Sequence, residues 1–263
     1  MPTTRRRANN PLMRAMAWRT DRATFTRSCG FEPDERQLEV LRSTAPQVIL
    51  LCTRQWGKST VTANLALYEA ILAAPALVLI FARAQRQAIE LLRKVKEQVG
   101  TLGTSAPALV NDNEMSVEFE TGSRILALPG TEANVRGFSG PSLVIFDEAA
   151  RVPDELYYAA RPMLATSQGR LILLSSAWDV RGFFYTEWDQ GDPTAWHKVK
   201  VTAPECPRLD PAWLQRERAT VGERVYRREY LCQFGQTEET VFPRELVLAA
   251  LDPTIPSLFG SPQ

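Results

Sequence analysis

The sequence has a single histidine, His197, and its four cysteines, Cys29, Cys52, Cys206 and Cys232, form no C-x-x-C pair. That scarcity argues against a zinc site. It also argues against a Ser-His-Asp triad, because His197 would be the sole base and lies in "TAWHKVKVT", which reads as an ordinary strand. No long uninterrupted hydrophobic run is present. The most apolar stretch, "LALYEAILAAPALVLIFA", carries Glu69 and is broken by Pro75, so it reads as a buried helix followed by a buried strand. The N-terminus, "MPTTRRRANNPLMRAMAWRT", is basic but lacks the apolar centre of a signal peptide. No internal repeat or low-complexity tract appears. These absences predict a soluble protein of a reducing compartment with no membrane partner. Lysine is scarce, and nearly all the positive charge is arginine, which suits bidentate phosphate contacts or reflects genome composition. The net charge of +1 advertises no polyanionic partner in bulk, so any basic surface must be local.

What is present fits one large α/β domain with a small appendage: 263 residues, 44% of them hydrophobic and 23% charged. Residues 1–30 read as a basic arm that orders only on a partner. From Asp34 the pattern becomes regular. "PDERQLEVLRS" predicts a short helix, "QVILLC" a buried strand, "KSTVTANLALYEAILAA" a helix, "ALVLIFA" a strand and "AQRQAIELLRKVKEQV" an amphipathic helix. "MSVEFE" and "SRILALPG" alternate around Thr121 and Gly122 as a β-hairpin. "SLVIFDEAA" and "GRLILLSSA" are further buried strands, separated by the helix signature "PDELYYAARPML". Strands apolar throughout and separated by helices predict a largely parallel sheet covered on both faces. After Val201, "PAWLQRERATVGERVYRREYLCQF" predicts two arginine-rich helices and "VFPRELVLAAL" a further short one, a small helical subdomain over 203–263 beside a core over 31–202.

The stretch "LCTRQWGKST", residues 51–60, ends as a phosphate-binding loop should, with Gly57, Lys58 and Ser59, but has Cys52 where the motif G-x-x-x-x-G-K-[ST] has its first glycine. Such a loop opening a helix presents backbone N–H groups and the positive end of the helix dipole to phosphate oxygens, with Lys58 on the β and γ phosphates and the Ser59 hydroxyl on Mg²⁺. In "LVIFDE", two carboxylates end an apolar strand at the edge where open α/β sheets bind ligands. Asp147 is placed to hold Mg²⁺ through water and Glu148 to polarise an attacking water, although an acid pair after a strand also suits a helix N-cap. Both halves together, in this order, point to an NTPase binding ATP and Mg²⁺.

Other candidates stay open at this level. Gln37 either reads the adenine edge or is a helix-face glutamine. Arg136, in the glycine-bearing loop "GTEANVRGFSGPS", is either a surface ion-pair partner or an arginine finger for a neighbouring subunit. Ser175 and Ser176 in "LLSSA" either sense the γ-phosphate or are ordinary turn residues. Arg5 to Arg7 and the arginines from Arg216 to Arg228 are candidates for DNA contact or solvated faces.

In that order, "CTRQWGKST", "LVIFDEAA" and "LLSSA" resemble the ATPase domain of the large terminase subunit of tailed bacteriophages, over about residues 31–245. That family commonly uses Arg-Gln-x-Gly-Lys-[ST], matched here by Arg54, Gln55, Gly57, Lys58 and Ser59, so Cys52 resembles the family's own variant loop. The resemblance implies an ASCE-type P-loop NTPase fold with a C-terminal helical lid. It implies nucleotide contacts from Gln37 and from Thr53, Arg54, Gln55, Trp56, Gly57, Lys58, Ser59 and Thr60, and a metal held by Ser59 and Asp147. Lys58, Arg54, Glu148 and, by a looser match, Arg136 would act in catalysis, and Ser175, Ser176 and Ala177 would form a coupling motif. The implied activity is ATP hydrolysis that moves double-stranded DNA into a procapsid, with portal protein and small terminase subunit as partners. The chain would be a homo-oligomeric ring when assembled, a monomer in isolation, and located in the host cytoplasm. Full large subunits continue into a nuclease domain with clustered Asp. This chain stops at "LDPTIPSLFGSPQ", so hydrolysis without DNA cleavage, in a truncated or natural fragment, is the expectation. The rival readings are a related helicase or translocase, and a nucleotide-gated DNA-binding module without turnover.

Overall fold

The computed structural model describes residues 11–130, 137–235 and 250. Four apolar runs become β1 (Gln47–Cys52), β2 (Leu77–Ala82), β6 (Leu143–Asp147) and β7 (Arg170–Ser175). Their residues are buried on both faces, apart from the first residue of β1, β2 and β7. Such strands need helices above and below, and the alternation delivers them. In β1, Val48, Leu50 and Cys52 face one core, while Ile49 and Leu51 face the other. The first core is closed by α3 (Glu35–Arg42), α4 (Lys58–Leu72) and α5 (Gln85–Leu102). The second is closed by α6 (Asp154–Ala160) and α8 (Gly182–Asp189), through Tyr157, Phe183 and Phe184. Between α6 and β7 lies the short α7 (Met163–Ser167).

With β3 at Leu109–Asn113, β4 at Ser116–Phe119, β5 at Arg124–Leu128 and β8 at Trp196–Val201, the described residues form one eight-stranded sheet in the order β3-β4-β5-β2-β6-β7-β1-β8. Every pairing from β5 to β8 is parallel. The expected hairpin is β4 (Ser116–Phe119) and β5 (Arg124–Leu128), antiparallel, with Gly122 at φ +82° in its turn. An edge strand, β3 (Leu109–Asn113), joins it. "LVNDN" carries too little alternation to announce a strand, and its residues from Val110 to Asn113 are exposed.

The N-terminal segment corrects an expectation. Residues 11–30 are not a free arm: they form α1 (Pro11–Thr20) and α2 (Arg22–Ser28), and Trp18, Ala23, Phe25 and Cys29 are buried. Phe25 meets Trp18 and Tyr68 edge-on, with ring centroids 5.2 and 5.3 Å away. Asp21 caps α2, and the buried Thr26 hydroxyl donates to Asn64 of α4 at 2.7 Å. Interspersed arginines mask this apolar set from a composition-based reading, because their charged heads can reach water while their stems lie over the core. Arg5 to Arg7 lie outside the described residues.

Past β8 the chain forms α9 (Pro211–Glu229), which is two helices in effect, because Gly222 has the non-helical angles φ 78° and ψ 160°. Its arginines are largely spoken for: Arg218 and Arg227 share Glu223, and Arg228 pairs with Glu229. The helix expected in "VFPRELVLAAL" lies outside the described residues, Ala250 apart.

Candidate functional site

The loop between β1 and α4 is shaped by two positive φ angles, 65° at Gln55 and 91° at Gly57, which turn the chain so that α4 begins at Lys58. Glycine is the residue that takes such an angle without strain. Cys52 stays out of the turn. It ends β1, pairs with Val201 of β8 and is fully buried in the first core, where burial pushes its thiol far up and keeps it neutral. The missing glycine is therefore a strand residue here, with its side chain in apolar packing.

At the tip of β6, Asp147 is 7% exposed, and Glu148 takes the left-handed angles φ 49° and ψ 43°. A non-glycine residue rarely sits there, and such strain concentrates at functional positions. The turn separates the two carboxylates. The Glu148 N–H donates to Asp147 Oδ1 at 3.0 Å, while Glu148 Oε1 lies 3.6 Å from Lys58 Nζ. Burial, and then the charge of Glu148, push the Asp147 carboxyl up to about 6, against the pull of Lys58, of the Glu148 N–H and of Lys94. Lys94 of α5 was not foreseen. Its Nζ lies 3.5 Å from the Thr60 hydroxyl, a second cation beside the loop that only helix packing brings there.

Strand β7 lies between β1 and β6, so the end of β1 is flanked by Ser175, which pairs with Leu51. Ser175, Ser176 and Ala177 are all buried, and the Ser175 hydroxyl has no hydrogen-bond partner among the described residues. Just beyond, Trp178 carries the guanidinium of Arg151 at 4.0 Å and that of Arg228 at 4.3 Å. Both arginines also approach the Glu229 carboxylate, at 3.6 and 3.3 Å.

Two expected roles look different in three dimensions. Arg54 does not turn into its own loop: its Nε donates to Glu229 Oε2 at 2.8 Å, tying the loop to the end of α9. The Thr53 hydroxyl adds a bond to the Glu229 carbonyl at 3.2 Å. Gln37 is fully buried and both ends of its amide are used. Its Oε1 accepts from the Asp34 N–H at 2.9 Å, closing a capping box, and its Nε2 donates to the Trp56 carbonyl at 2.7 Å. It braces the loop through one of its two amide N–H groups and one lone pair of its oxygen. Arg208, also unforeseen, donates to the same Trp56 carbonyl and, at 2.9 Å, to Asp34 Oδ2. Gln55 is exposed, Trp56 fully buried, and Ser59 and Thr60 half-buried. Arg136 lies outside the described residues. His197 has the structural setting expected of it, between the Ser43 hydroxyl at 2.7 Å and Glu39 at 3.0 Å.

A buried lysine facing a strained glutamate, a buried aspartate beside it and an orphan hydroxyl at the neighbouring strand tip suit a triphosphate with its divalent cation. These features, with β7 inserted between the loop strand and the acidic strand, define a P-loop NTPase-like fold. Residues 49–248 match the family described as terminase large subunit, T4-like-virus type, N-terminal. The chain belongs to that family, and its matched region is a large-terminase N-terminal domain. It is similar in structure to the large terminase ATPase domain of Thermus phage P74-26, at 20% identity and a TM-score of 0.71, over 80% of this chain and 97% of that one. The HK97 bacteriophage large terminase matches at 17% identity and TM-score 0.66, over 78% of this chain and 51% of that one. A large terminase from a thermophilic bacteriophage, solved with ATP-γ-S, matches at 15% and 0.60, over 76% of this chain and 52% of that one. No curated protein matches by sequence.

Proposed function

We propose that this domain binds Mg²⁺·ATP between the Lys58 turn and the Asp147/Glu148 tip, hydrolyses it, and uses the cycle to drive double-stranded DNA into a procapsid in the host cytoplasm. The observation carrying this reading is the 3.6 Å approach of Lys58 Nζ to Glu148 Oε1 across the loop. It supports the reading, because phosphoryl transfer needs a phosphate-binding cation close to a carboxylate that can act as base. The loop N–H groups and the α4 N-terminus receive the β and γ phosphates, and Lys58 leaves Glu148 for them. Glu148, so freed, takes a proton from the attacking water. Asp147 and the Ser59 hydroxyl are the groups suited to the cation, which when bound supplies charge neutralisation at the phosphate oxygens. The buried Ser175 hydroxyl, without a hydrogen-bond partner among the described residues, would respond to the γ-phosphate.

Motion follows from Arg54. Paired with Glu229 in the free protein, it is drawn to the phosphates when they arrive, and the end of α9 is released from the loop. Glu229 keeps Arg151 and Arg228 as counter-charges, so its burial remains compensated. DNA contacts would be backbone contacts that ignore base identity and weaken with salt. Arg136 acts on a neighbouring subunit's nucleotide within an oligomeric ring docked on the portal protein. Adding subunits that are dead at Glu148 but retain Arg136 partly rescues an Arg136→Ala protein, and failure at every ratio removes the trans role. The reading as a whole is tested by calorimetry. Micromolar to millimolar uptake of a non-hydrolysable ATP analogue with Mg²⁺ is expected, and no uptake in that range overturns it.

A further inference from the structure

The Gln37 amide is fully buried and holds the Asp34 N–H and the Trp56 carbonyl, so an exposed group on the same side of the loop is better placed to meet a nucleoside from solvent. The strand order says where to look. The acidic tip of β6 lies on one side of β1, beyond β7, and β8 lies on the other. With the γ end of a triphosphate fixed by Lys58 and Glu148 on the β6 side, the sugar and base leave the loop on the β8 side. There the chain following β8 brings Arg208 to the loop. A Cβ on Gly57 would lie 3.1 Å from Gln37 Nε2 and 3.8 Å from Arg208 Nη2, so both line the outer wall of the turn.

We propose that Arg208 is the nucleoside-side residue of this site, its guanidinium forming a flat platform on which the purine lies; this rests on the nucleotide reading above. Its setting is that of a preorganised surface. Nη2 is held by Asp34 Oδ2 at 2.9 Å and by the Trp56 carbonyl, whereas Nε and Nη1 make no hydrogen bond among the described residues. The side chain is 40% exposed, although it is anchored at its tip. A delocalised planar cation stacks on aromatic rings, and one already fixed in orientation loses little freedom when it does so. Because the anchor Asp34 also caps α3 through the Gln37 N–H, the platform, the capping box and the loop carbonyl form one unit. Arg208 precedes α9, so base stacking would engage the start of the helical subdomain while Arg54 and Glu229 engage its end.

The test separates base from phosphate. Calorimetry of the whole chain with Mg²⁺ compares the ATP analogue with inorganic triphosphate for wild type, Arg208→Ala and Arg208→Lys. Arg208→Ala is expected to weaken the ATP analogue about tenfold while leaving triphosphate within about twofold. Arg208→Lys, which keeps the charge but not the plane, is expected to weaken it by a similar factor. Equal losses for both ligands, or full rescue by Lys, would overturn the proposal in favour of a brace acting through the Trp56 carbonyl. If the wild type takes up neither ligand, it is the nucleotide reading itself that fails. Circular dichroism of each variant, matching wild type, establishes that it is folded.

Discussion

Arg54, the arginine of the phosphate loop, is held 2.8 Å from Glu229 at the far end of the helical subdomain. The Glu229 side chain is 9% exposed and is approached by Arg54, Arg151 and Arg228. Replacing it with glutamine leaves three guanidinium groups without their common counter-ion, and Glu229→Gln should lower stability by about 1–3 kcal/mol in urea denaturation. A double-mutant cycle with Arg54→Met should give a coupling energy above about 0.5 kcal/mol. A cycle that closes at zero would mean that the loop and the subdomain are not linked through this pair.

Lys58 and Glu148 should separate binding from turnover. Lys58→Ala is expected to abolish nucleotide uptake. Glu148→Gln should bind within about threefold of wild type and lose about 10²–10⁴ in turnover. Normal steady-state phosphate release by Glu148→Gln would remove Glu148 from its role as base.

Asp147 makes the ligand-free protein pH-sensitive. Its carboxyl stands near 3.8 in the unfolded chain and at about 6 in the fold, because burial and the charge of Glu148 disfavour the anion. Above that value the folded state carries the unfavourable charge, and the burden is relieved as pH falls through 6 towards 3.8. Asp147→Asn should therefore raise the stability of the free protein at pH 7.5 by up to about 3 kcal/mol and by about half as much at pH 5, while removing Mg²⁺-dependent nucleotide affinity. Equal effects at the two pH values would show that the carboxyl is not raised.

Phe25 tests the N-terminal correction. A free arm predicts no effect of Phe25→Ala on folding. A fully buried ring packed on Trp18 and Tyr68 predicts a loss of about 3–5 kcal/mol, read from the urea midpoint of unfolding.

The layered α/β core is legible in local pattern, since apolar runs such as "QVILLC" and "LVIFD" can bury both faces only in a helix-covered parallel sheet. The loop at Gly57 and the acid pair are likewise local signals: Lys58 begins its helix beside Gly57, and Glu148 follows Asp147. Local periodicity failed where burial is set by distant partners. The helices of residues 11–30 owe their order to Tyr68 and Asn64. What surrounds the loop was set by distant segments folding onto it. Arg54 meets Glu229 across 175 positions, and Arg208 meets Trp56 across 152. Folding also buried Gln37 against Asp34 and against the Trp56 carbonyl, the second a contact that no spacing in the sequence announces. Contacts that distant leave no spacing in the sequence, because β8 and the helices after it return to the loop through the order of strands in the sheet and not through proximity along the chain.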